Sequence, residues 1–160
     1  MRMAAFEHVQ RAGDVHGHLM RKKNINQLYT PLQSLAPPMP KAKPNPAREE
    51  RIEMEIVVDA YGEDERAMGW YCYLDDHLQF PFRARCTVAR KISPLKKGEE
   101  AEVIGMAPAD DCMRTMWVLI RFADRTLGVP LDQLEAVTGG EATREAVTDW
   151  CYWAAMGYQF

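Results

Sequence analysis

The chain has 160 residues, of which 47% are hydrophobic and 27% charged, and its formal net charge is -3. This length suits one hydrophobic core rather than two. No apolar run approaches the roughly 18 to 20 residues that span a bilayer, and the N-terminus lacks the continuous apolar stretch of a signal peptide. We therefore expect a cytoplasmic protein with no membrane partner.

The charge is divided unevenly along the chain. Residues 1–47 carry seven Lys and Arg against two acids, a net charge of +5, whereas residues 48–160 carry 13 basic against 21 acidic residues, a net charge of -8. An acidic folded part repels nucleic acid phosphate and attracts cations or basic partners. We therefore do not expect a nucleic acid partner.

Residues 1–47 form the first predicted region, which is basic and rich in proline. We interpret it as a flexible N-terminal extension and linker, because proline-rich chain prefers the extended polyproline II conformation. Two alternatives are a basic arm for anionic surfaces and a Pro37-x-x-Pro40 ligand for a small barrel. The folded domain is predicted to cover residues 48–160.

Two helices are predicted at the start of this domain. Arg48 to Tyr61 places apolar residues on one helical face and glutamates near the N-terminal end, although Ile52 to Val58 also fits a strand. Gly62 ends this helix. A second helix begins at Glu63 and runs towards Leu78. Its apolar stripe includes Trp70, which we expect in the core, and Gly69 permits close approach of another segment.

Short apolar runs separated by turns then predict a small closed sheet. Its strands are expected at Phe82 to Lys91, Glu100 to Ala107, Met116 to Phe122 and Thr126 to Val129. Leu131 and Leu134, three apart after a proline, predict a single 3₁₀ turn that plugs one end. The pattern is typical of an SH3-like or Sm-like barrel.

A third helix is predicted after the paired glycines Gly139 and Gly140. Its apolar stripe runs from Ala142 to Ala154 and ends at Gly157. Because one core is available, this helix should pack on the two N-terminal helices through Trp150 and Trp153. The predicted fold class is α+β, a small barrel flanked by two N-terminal helices and one C-terminal helix.

Catalytic chemistry is not indicated by any motif. There is no G-x-S-x-G, no H-E-x-x-H and no P-loop, and the folded part has one histidine, His77. The four cysteines show no C-x-x-C spacing and lie among apolar residues, so we expect buried reduced thiols. We therefore expect a protein that is not an enzyme.

Clustered carboxylates are the chemical feature that remains. They lie at predicted helix ends, turns and the barrel plug, at Asp75, Asp76, Glu99, Glu100, Glu102, Asp110, Asp111, Asp132 and Glu135. Oxygen-only clusters suit calcium, which takes six to eight oxygens in irregular geometry. The EF-hand loop is absent, and a single such cluster is usually a solvated turn. Spacing alone therefore does not establish a calcium site.

Several ordered motifs give the chain a resemblance to a known family. They are Arg51-Ile-Glu-Met-Glu-Ile-Val-Val-Asp-Ala-Tyr61, Arg66-Ala-Met-Gly-Trp-Tyr-Cys-Tyr-Leu-Asp-Asp76, Phe80-Pro-Phe-Arg-Ala-Arg-Cys86, Ser93-Pro-Leu-Lys-Lys-Gly98, Val103-Ile-Gly-Met-Ala-Pro108, Val129-Pro-Leu-Asp-Gln-Leu-Glu135, Asp149-Trp-Cys-Tyr-Trp153 and Gly157-Tyr-Gln-Phe160. In this order they resemble the bacterial calcium-binding family typified by CcbP. The resemblance covers about residues 48–160.

The resemblance implies a small acidic cytoplasmic protein that binds or buffers Ca²⁺ on an SH3-like or Sm-like barrel with flanking helices. One segment departs from the family pattern. After Pro108 the family typically has a run of glutamates around a cysteine, whereas this chain has Ala109 to Thr115 with two aspartates and an arginine. The departure implies weaker calcium binding.

The candidate calcium ligands can be ranked by where their side chains are expected to point. Consecutive carboxylates on a regular strand point to opposite faces, so pairs in loops or at helix ends are better placed. We expect the pairs Asp110-Asp111 and Asp75-Asp76 to lead, with Glu99 and either Asp132 or Glu135 completing a shell. The alternative is an SH3-like or Sm-like interaction module whose acidic face docks a basic protein, with calcium not involved.

Overall fold

A computed structural model describes residues 42–158 and residue 160 of the chain. These residues form three α-helices and one five-stranded antiparallel sheet, which confirms the predicted α+β class. The helices are α1 (Pro46–Arg51), α2 (Glu63–His77) and α3 (Glu141–Met156). The strands are β1 (Phe82–Cys86), β2 (Glu100–Met106), β3 (Trp117–Phe122), β4 (Arg125–Pro130) and β5 (Leu134–Ala136).

The region predicted as a flexible extension lies outside the described residues except for 42–47. Within that short stretch the chain is already attached to the fold. Ala42 packs against the hydrophobic core, and the Asn45 side chain caps α1 by accepting a hydrogen bond from the Arg48 backbone N–H at 3.2 Å. Helix α1 thus begins at Pro46, two residues before the predicted boundary. The flexibility of residues 1–41 stays a prediction.

The first predicted helix is shorter than Arg48 to Tyr61. α1 continues into a π-helical turn at Ile52–Ile56 and stops there, so the predicted end at Tyr61 was wrong. Ile52 and Ile56 are buried as expected, but Tyr61 is 87% exposed. The chain reverses after Ile56 with Asp59 at a φ of 56°, a left-handed conformation that a continuing helix cannot contain.

Gly69 explains how closely this turn approaches α2. A Cβ atom built at Gly69 would lie 2.4 Å from the Ile56 carbonyl oxygen, a backbone atom that cannot rotate away. The close approach predicted for this glycine is confirmed. It brings the carbonyl end of the π-helical turn against the middle of α2.

Gly69→Ala should therefore lower the free energy of unfolding by about 1 to 3 kcal/mol, because α2 must shift to relieve the clash. Gly128→Ala is the matched control, since its Cβ would meet a Trp117 side-chain atom at an ordinary 3.8 Å. Urea unfolding of both variants makes the measurement. Equal stability of the two would show that the π-helical turn does not press on α2.

The sheet has the strand order β4-β3-β2-β1-β5, and every pairing is antiparallel. A tight turn at Ala123 and Asp124 joins β3 to β4, and the predicted 3₁₀ turn occurs at Leu131–Gln133, between the two edge strands. The predicted turn is confirmed, whereas its role as a plug for one end of the sheet stays a prediction. Closure into an SH3-like or Sm-like barrel stays a prediction. None of the helices in the described ranges is long and apolar enough to cross a bilayer.

The core lies between the inner face of the sheet and the helices. Trp70 of α2 is fully buried, and its ring centroid lies 5.2 Å from that of Trp150 and 5.6 Å from that of Trp153, both on α3. The predicted packing of α3 on the N-terminal helices is therefore confirmed for α2.

All four cysteines are free; Cys86 and Cys112 are buried, whereas Cys72 is exposed, so the prediction of burial was wrong for that thiol.

Candidate metal centre

The last turn of α2 carries one predicted pair, Asp75 and Asp76, both exposed. The negative end of a helix macrodipole lies at its C-terminus, where carboxylates are destabilising and cations are favoured. The N-terminus of the same helix has the favourable arrangement, because Glu65 accepts hydrogen bonds from the backbone N–H groups of Tyr61 and Gly62. The C-terminal end of α2 therefore concentrates negative potential.

The second predicted pair lies on a 3₁₀ turn, Ala109–Cys112, that packs against α2. Asp110 and Asp111 are exposed on this turn. Burial raises the pKa of the Tyr71 phenol on α2, and the charges of Asp75 and Cys112 raise this pKa further. The two aspartate pairs thus belong to two elements that pack against each other.

Glu99 has a local structural contact. Its carboxylate accepts a hydrogen bond from the Lys96 backbone N–H at 2.7 Å, and its carbonyl oxygen accepts one from the Cys86 N–H at 2.8 Å. It therefore stabilises the turn that leads into β2. Among the described residues, no hydrogen bond joins it to the two aspartate pairs.

Asp132 and Glu135 have different surroundings from the aspartate pairs. Asp132 is 8% exposed in the 3₁₀ turn Leu131–Gln133 and forms an ion pair with Arg90. Burial raises the pKa of this carboxyl group, and the charge of Arg90 opposes that rise. Glu135 is exposed on β5, directly opposite Arg85 of β1 in the strand ladder.

Other acids that the sequence brought into consideration are paired with arginines. Glu100 binds Arg83 and Arg85, and Glu102 binds Arg121 at 2.7 Å. Arg83 and Arg85 alternate on the exposed face of β1, with Arg85 directly opposite Glu100 of β2, whereas Arg121 of β3 lies opposite Glu102. In contrast, the aspartates at the end of α2 and on the turn Ala109–Cys112 form no ion pair with any described residue.

Sequence reasoning did not find the most buried acid. Asp149 of α3 is fully buried and accepts two hydrogen bonds from Arg51 Nη2, at 2.6 and 2.7 Å, together with one from the Tyr73 hydroxyl at 3.2 Å. Burial and then the charge of Asp149 raise the pKa of Tyr73, so its hydroxyl remains a donor. These bonds tie α1 and α2 to α3 and leave this carboxylate no free oxygen for a metal.

Within residues 42–158 and 160, no three His, Cys, Asp or Glu side chains are gathered closely enough to hold a metal ion. Calcium does not require such a cage, because backbone carbonyls and water supply many of its six to eight oxygens. The described carboxylate pairs are thus not gathered into one ligand set, and a calcium ion on either pair would take most of its oxygens from backbone carbonyls and water.

Comparison with known proteins decides the family. A family model described as calcium binding, of the CcbP type, matches residues 50–154. The chain belongs to the CcbP family of calcium-binding proteins. The resemblance noted in its motifs is thereby confirmed over most of the folded part.

Two solved structures resemble the chain. The crystal structure of Anabaena CcbP is 41% identical, with a TM-score of 0.66, and the match covers 76% of this chain and 100% of that one. A calcium-binding protein in its calcium-binding form is 42% identical, with a TM-score of 0.65, over 72% of this chain and 95% of that one. A search of curated proteins gave no significant match.

Proposed function

We propose that this chain is a non-enzymatic protein that binds or buffers calcium in the cytoplasm, with the two aspartate pairs of α2 and the turn Ala109–Cys112 as its principal ligands. Membership of the CcbP family supports calcium as the ion. The observation that carries the choice of ligands is that the carboxylates at the C-terminal end of α2, and the two on the turn that packs against this helix, form no ion pair with any described residue.

Electrostatics supports a cation at this end of α2. Asp75 and Asp76 repel each other and also oppose the negative end of the helix macrodipole, an effect of about 0.3 to 1 kcal/mol for each exposed charge. Asp110 and Asp111 add two charges on the turn that packs against the same helix. A bound calcium ion would relieve both repulsions, so these groups gain more from the ion than paired acids would.

Calcium would be held here by carboxylate oxygens together with carbonyl oxygens and water. Its chemistry is that of a hard divalent cation that neutralises acidic side chains, with no redox step. Glu100 and Glu102 on the sheet and Asp149 on α3 already have arginine partners, so binding calcium there would first require breaking an ion pair. Glu99, Asp132 and Glu135 stay proposed as secondary ligands, each behind the two aspartate pairs.

Asparagine variants of the full chain would test the ligands by calcium titration calorimetry. We expect Asp75→Asn with Asp76→Asn, and separately Asp110→Asn with Asp111→Asn, to weaken calcium binding at least tenfold, about 1.4 kcal/mol. The matched control is Glu100→Gln with Glu102→Gln, which removes the same two charges from groups paired with arginine. This control should bind calcium within about twofold of the parent, since its lost charges lie outside the proposed ligand set.

Two results would contradict the proposal. If the parent chain gives no heat and no competition with a calcium indicator at millimolar calcium, calcium binding is wrong and the basic-partner interpretation takes its place. If the control variant weakens binding as much as the aspartate variants do, net charge rather than these ligands attracts the ion.

A further inference from the structure

Four exposed apolar side chains lie within residues 54–68, at the start of the folded domain. Met54 is 67% exposed, Val58 51%, Tyr61 87% and Met68 40%. They are four of the six large hydrophobic side chains that are exposed among the described residues. Exposed apolar residues are common singly on protein surfaces, whereas a cluster of them marks an interaction site. We call these four residues the apolar patch.

The backbone brings the two halves of the apolar patch together. A Cβ atom built at Gly69 would lie 2.4 Å from the Ile56 carbonyl oxygen and 4.0 Å from the Val57 Cα atom. Val58 follows one member of this contact and Met68 precedes the other. Their Cα atoms therefore lie within about 13 Å of each other, because consecutive Cα atoms are about 3.8 Å apart. An α-helix with its side chains is about 10 to 12 Å across, so one helix can contact both halves.

The loop between the two halves is held in place by hydrogen bonds. The Glu65 carboxylate accepts from the backbone N–H groups of Tyr61 at 2.7 Å and Gly62 at 3.0 Å. The Ala60 N–H donates to the Val57 carbonyl oxygen at 3.1 Å. The apolar patch is therefore formed before any partner arrives, and a preformed surface loses less conformational entropy on binding.

Carboxylates accompany the apolar patch along the chain. Residues 50–68 carry seven acidic against two basic residues, a net charge of -5. All seven acids are exposed, and none forms an ion pair with a described residue. They are Glu50, Glu53, Glu55, Asp59, Glu63, Asp64 and Glu65. One of the two arginines, Arg51, is already paired with Asp149, so the charge that this surface presents is mainly negative.

This charge selects the kind of partner. Acidic residues repel nucleic acid phosphate and anionic lipids, and they attract Lys and Arg. An amphipathic helix with a basic polar face fits both features, because its apolar stripe covers the apolar patch and its basic side chains meet the carboxylates. Met54 and Met68 suit such a partner, since the unbranched methionine side chain adapts to the shape of what it contacts.

We propose that the apolar patch and the carboxylates of residues 50–65 dock a basic amphipathic helix of a partner protein. The apolar stripe of that helix contacts Met54, Val58 and Met68, and its Lys and Arg side chains pair with the carboxylates. This surface contains none of the proposed calcium ligands, so helix docking and calcium binding can each fail alone.

The probe for this surface is a peptide of about 18 leucine and lysine residues, or five helical turns, with its leucines on one helical face. It is titrated into the full chain in a calcium chelator and followed by methionine methyl NMR. We expect saturable shifts at Met54 and Met68 and none at Met116, which is fully buried. A peptide of the same composition whose leucines are distributed around the helix should bind about tenfold more weakly.

Met54→Ser with Val58→Ser should weaken binding of the first peptide about tenfold, because it removes half of the apolar patch. Both side chains are exposed, so the variant should keep the melting temperature of the parent. Ile92→Ser is the matched control, since Ile92 is 70% exposed outside the apolar patch, and it should bind the peptide as the parent does.

A second pair of variants tests the carboxylates. Glu53→Gln with Glu55→Gln should weaken peptide binding about threefold or more, because both groups are exposed beside Met54. Glu100→Gln with Glu102→Gln removes the same charge from groups paired with arginine and should stay within about twofold of the parent in about 0.15 M salt.

The proposal is overturned if neither exposed methionine shifts, if the two peptides bind alike, or if Met54→Ser with Val58→Ser binds like the parent. It is also overturned if the two charge variants weaken binding equally, because net charge alone would then attract the peptide. If Met54 and Met68 shift as the chain is concentrated without peptide, a second copy of the chain occupies the surface instead.

Discussion

Asp149→Ala should lower the free energy of unfolding by about 3 to 5 kcal/mol, the usual effect of removing one partner from a buried ion pair. Asp149 has no exposed surface, and its oxygens lie 2.6 Å from Arg51 Nη2 and 3.1 Å from Arg48 Nε. The variant leaves these guanidinium groups and the Tyr73 hydroxyl without their acceptor. It also removes the bonds that join α1 and α2 to α3.

Glu145→Ala is the control for this prediction, because Glu145 also pairs with Arg51 but its side chain is 47% exposed. An exposed pair contributes about 0 to 1 kcal/mol, so this variant should stay within that range of the parent. Urea unfolding followed by tryptophan fluorescence measures both. If the Asp149 variant lost less than 1 kcal/mol, the buried network would not hold the helices together.

Trp150→Ala should have a similar effect, about 3 to 5 kcal/mol, because it empties a buried aromatic site. Trp150 is 3% exposed, and its ring centroid lies 5.2 Å from that of Trp70 and 5.7 Å from that of Phe160. The loss combines the apolar area returned to water with the cavity left between α2 and α3. Thermal unfolding monitored by circular dichroism provides the measurement.

Tyr61→Ala provides the comparison for that aromatic deletion, since Tyr61 is 87% exposed and should contribute less than about 0.5 kcal/mol. A surface-like effect of Trp150→Ala, equal to that of Tyr61→Ala, would remove α3 from the core. The two results together separate packing from a general effect of losing an aromatic residue.

Elements set by local signals were predicted well from the sequence. The alternation of Phe82 to Cys86 gave β1, and the proline followed by leucines three apart gave the turn Leu131–Gln133. Gly157 ends α3 with a φ of 76°, a conformation that glycine adopts without steric strain. In each case the physical cause lies within a few residues of the element.

The early end of the first helix could not be read in the same way. The sequence from Arg48 to Tyr61 satisfies helical periodicity, but the backbone of Ile56 meets Gly69 of another helix. This contact depends on the packing of two segments and leaves no periodic pattern in either. The strand predicted to reach Lys91 also ends early, at Cys86. The Thr87 N–H still donates to the Gln133 carbonyl oxygen, but Gln133 belongs to the turn Leu131–Gln133 and the partner strand β5 begins only at Leu134.

The candidate ligands also combine features that are local in the sequence with features that depend on distant segments. Their residue types and positions at turns and helix ends were available from the sequence, and the structure adds which acids already have partners. Pairing of Glu102 with Arg121 requires the β2–β3 register, and the burial of Asp132 requires the packing of the turn before β5. Neither relation is local, so the sequence could not separate free carboxylates from paired ones.

Calcium-dependent stability of the full chain tests calcium binding at the proposed aspartates most directly. Calcium at one hundred times its dissociation constant should raise the free energy of unfolding by about 2.7 kcal/mol and the melting temperature by several degrees. The fourfold Asn variant at Asp75, Asp76, Asp110 and Asp111 should lose most of this gain. Without calcium it should melt at the same temperature or higher, because like-charge repulsion is relieved. A parent whose melting temperature is unchanged at millimolar calcium, or a fourfold variant stabilised as much as the parent, would contradict the proposal.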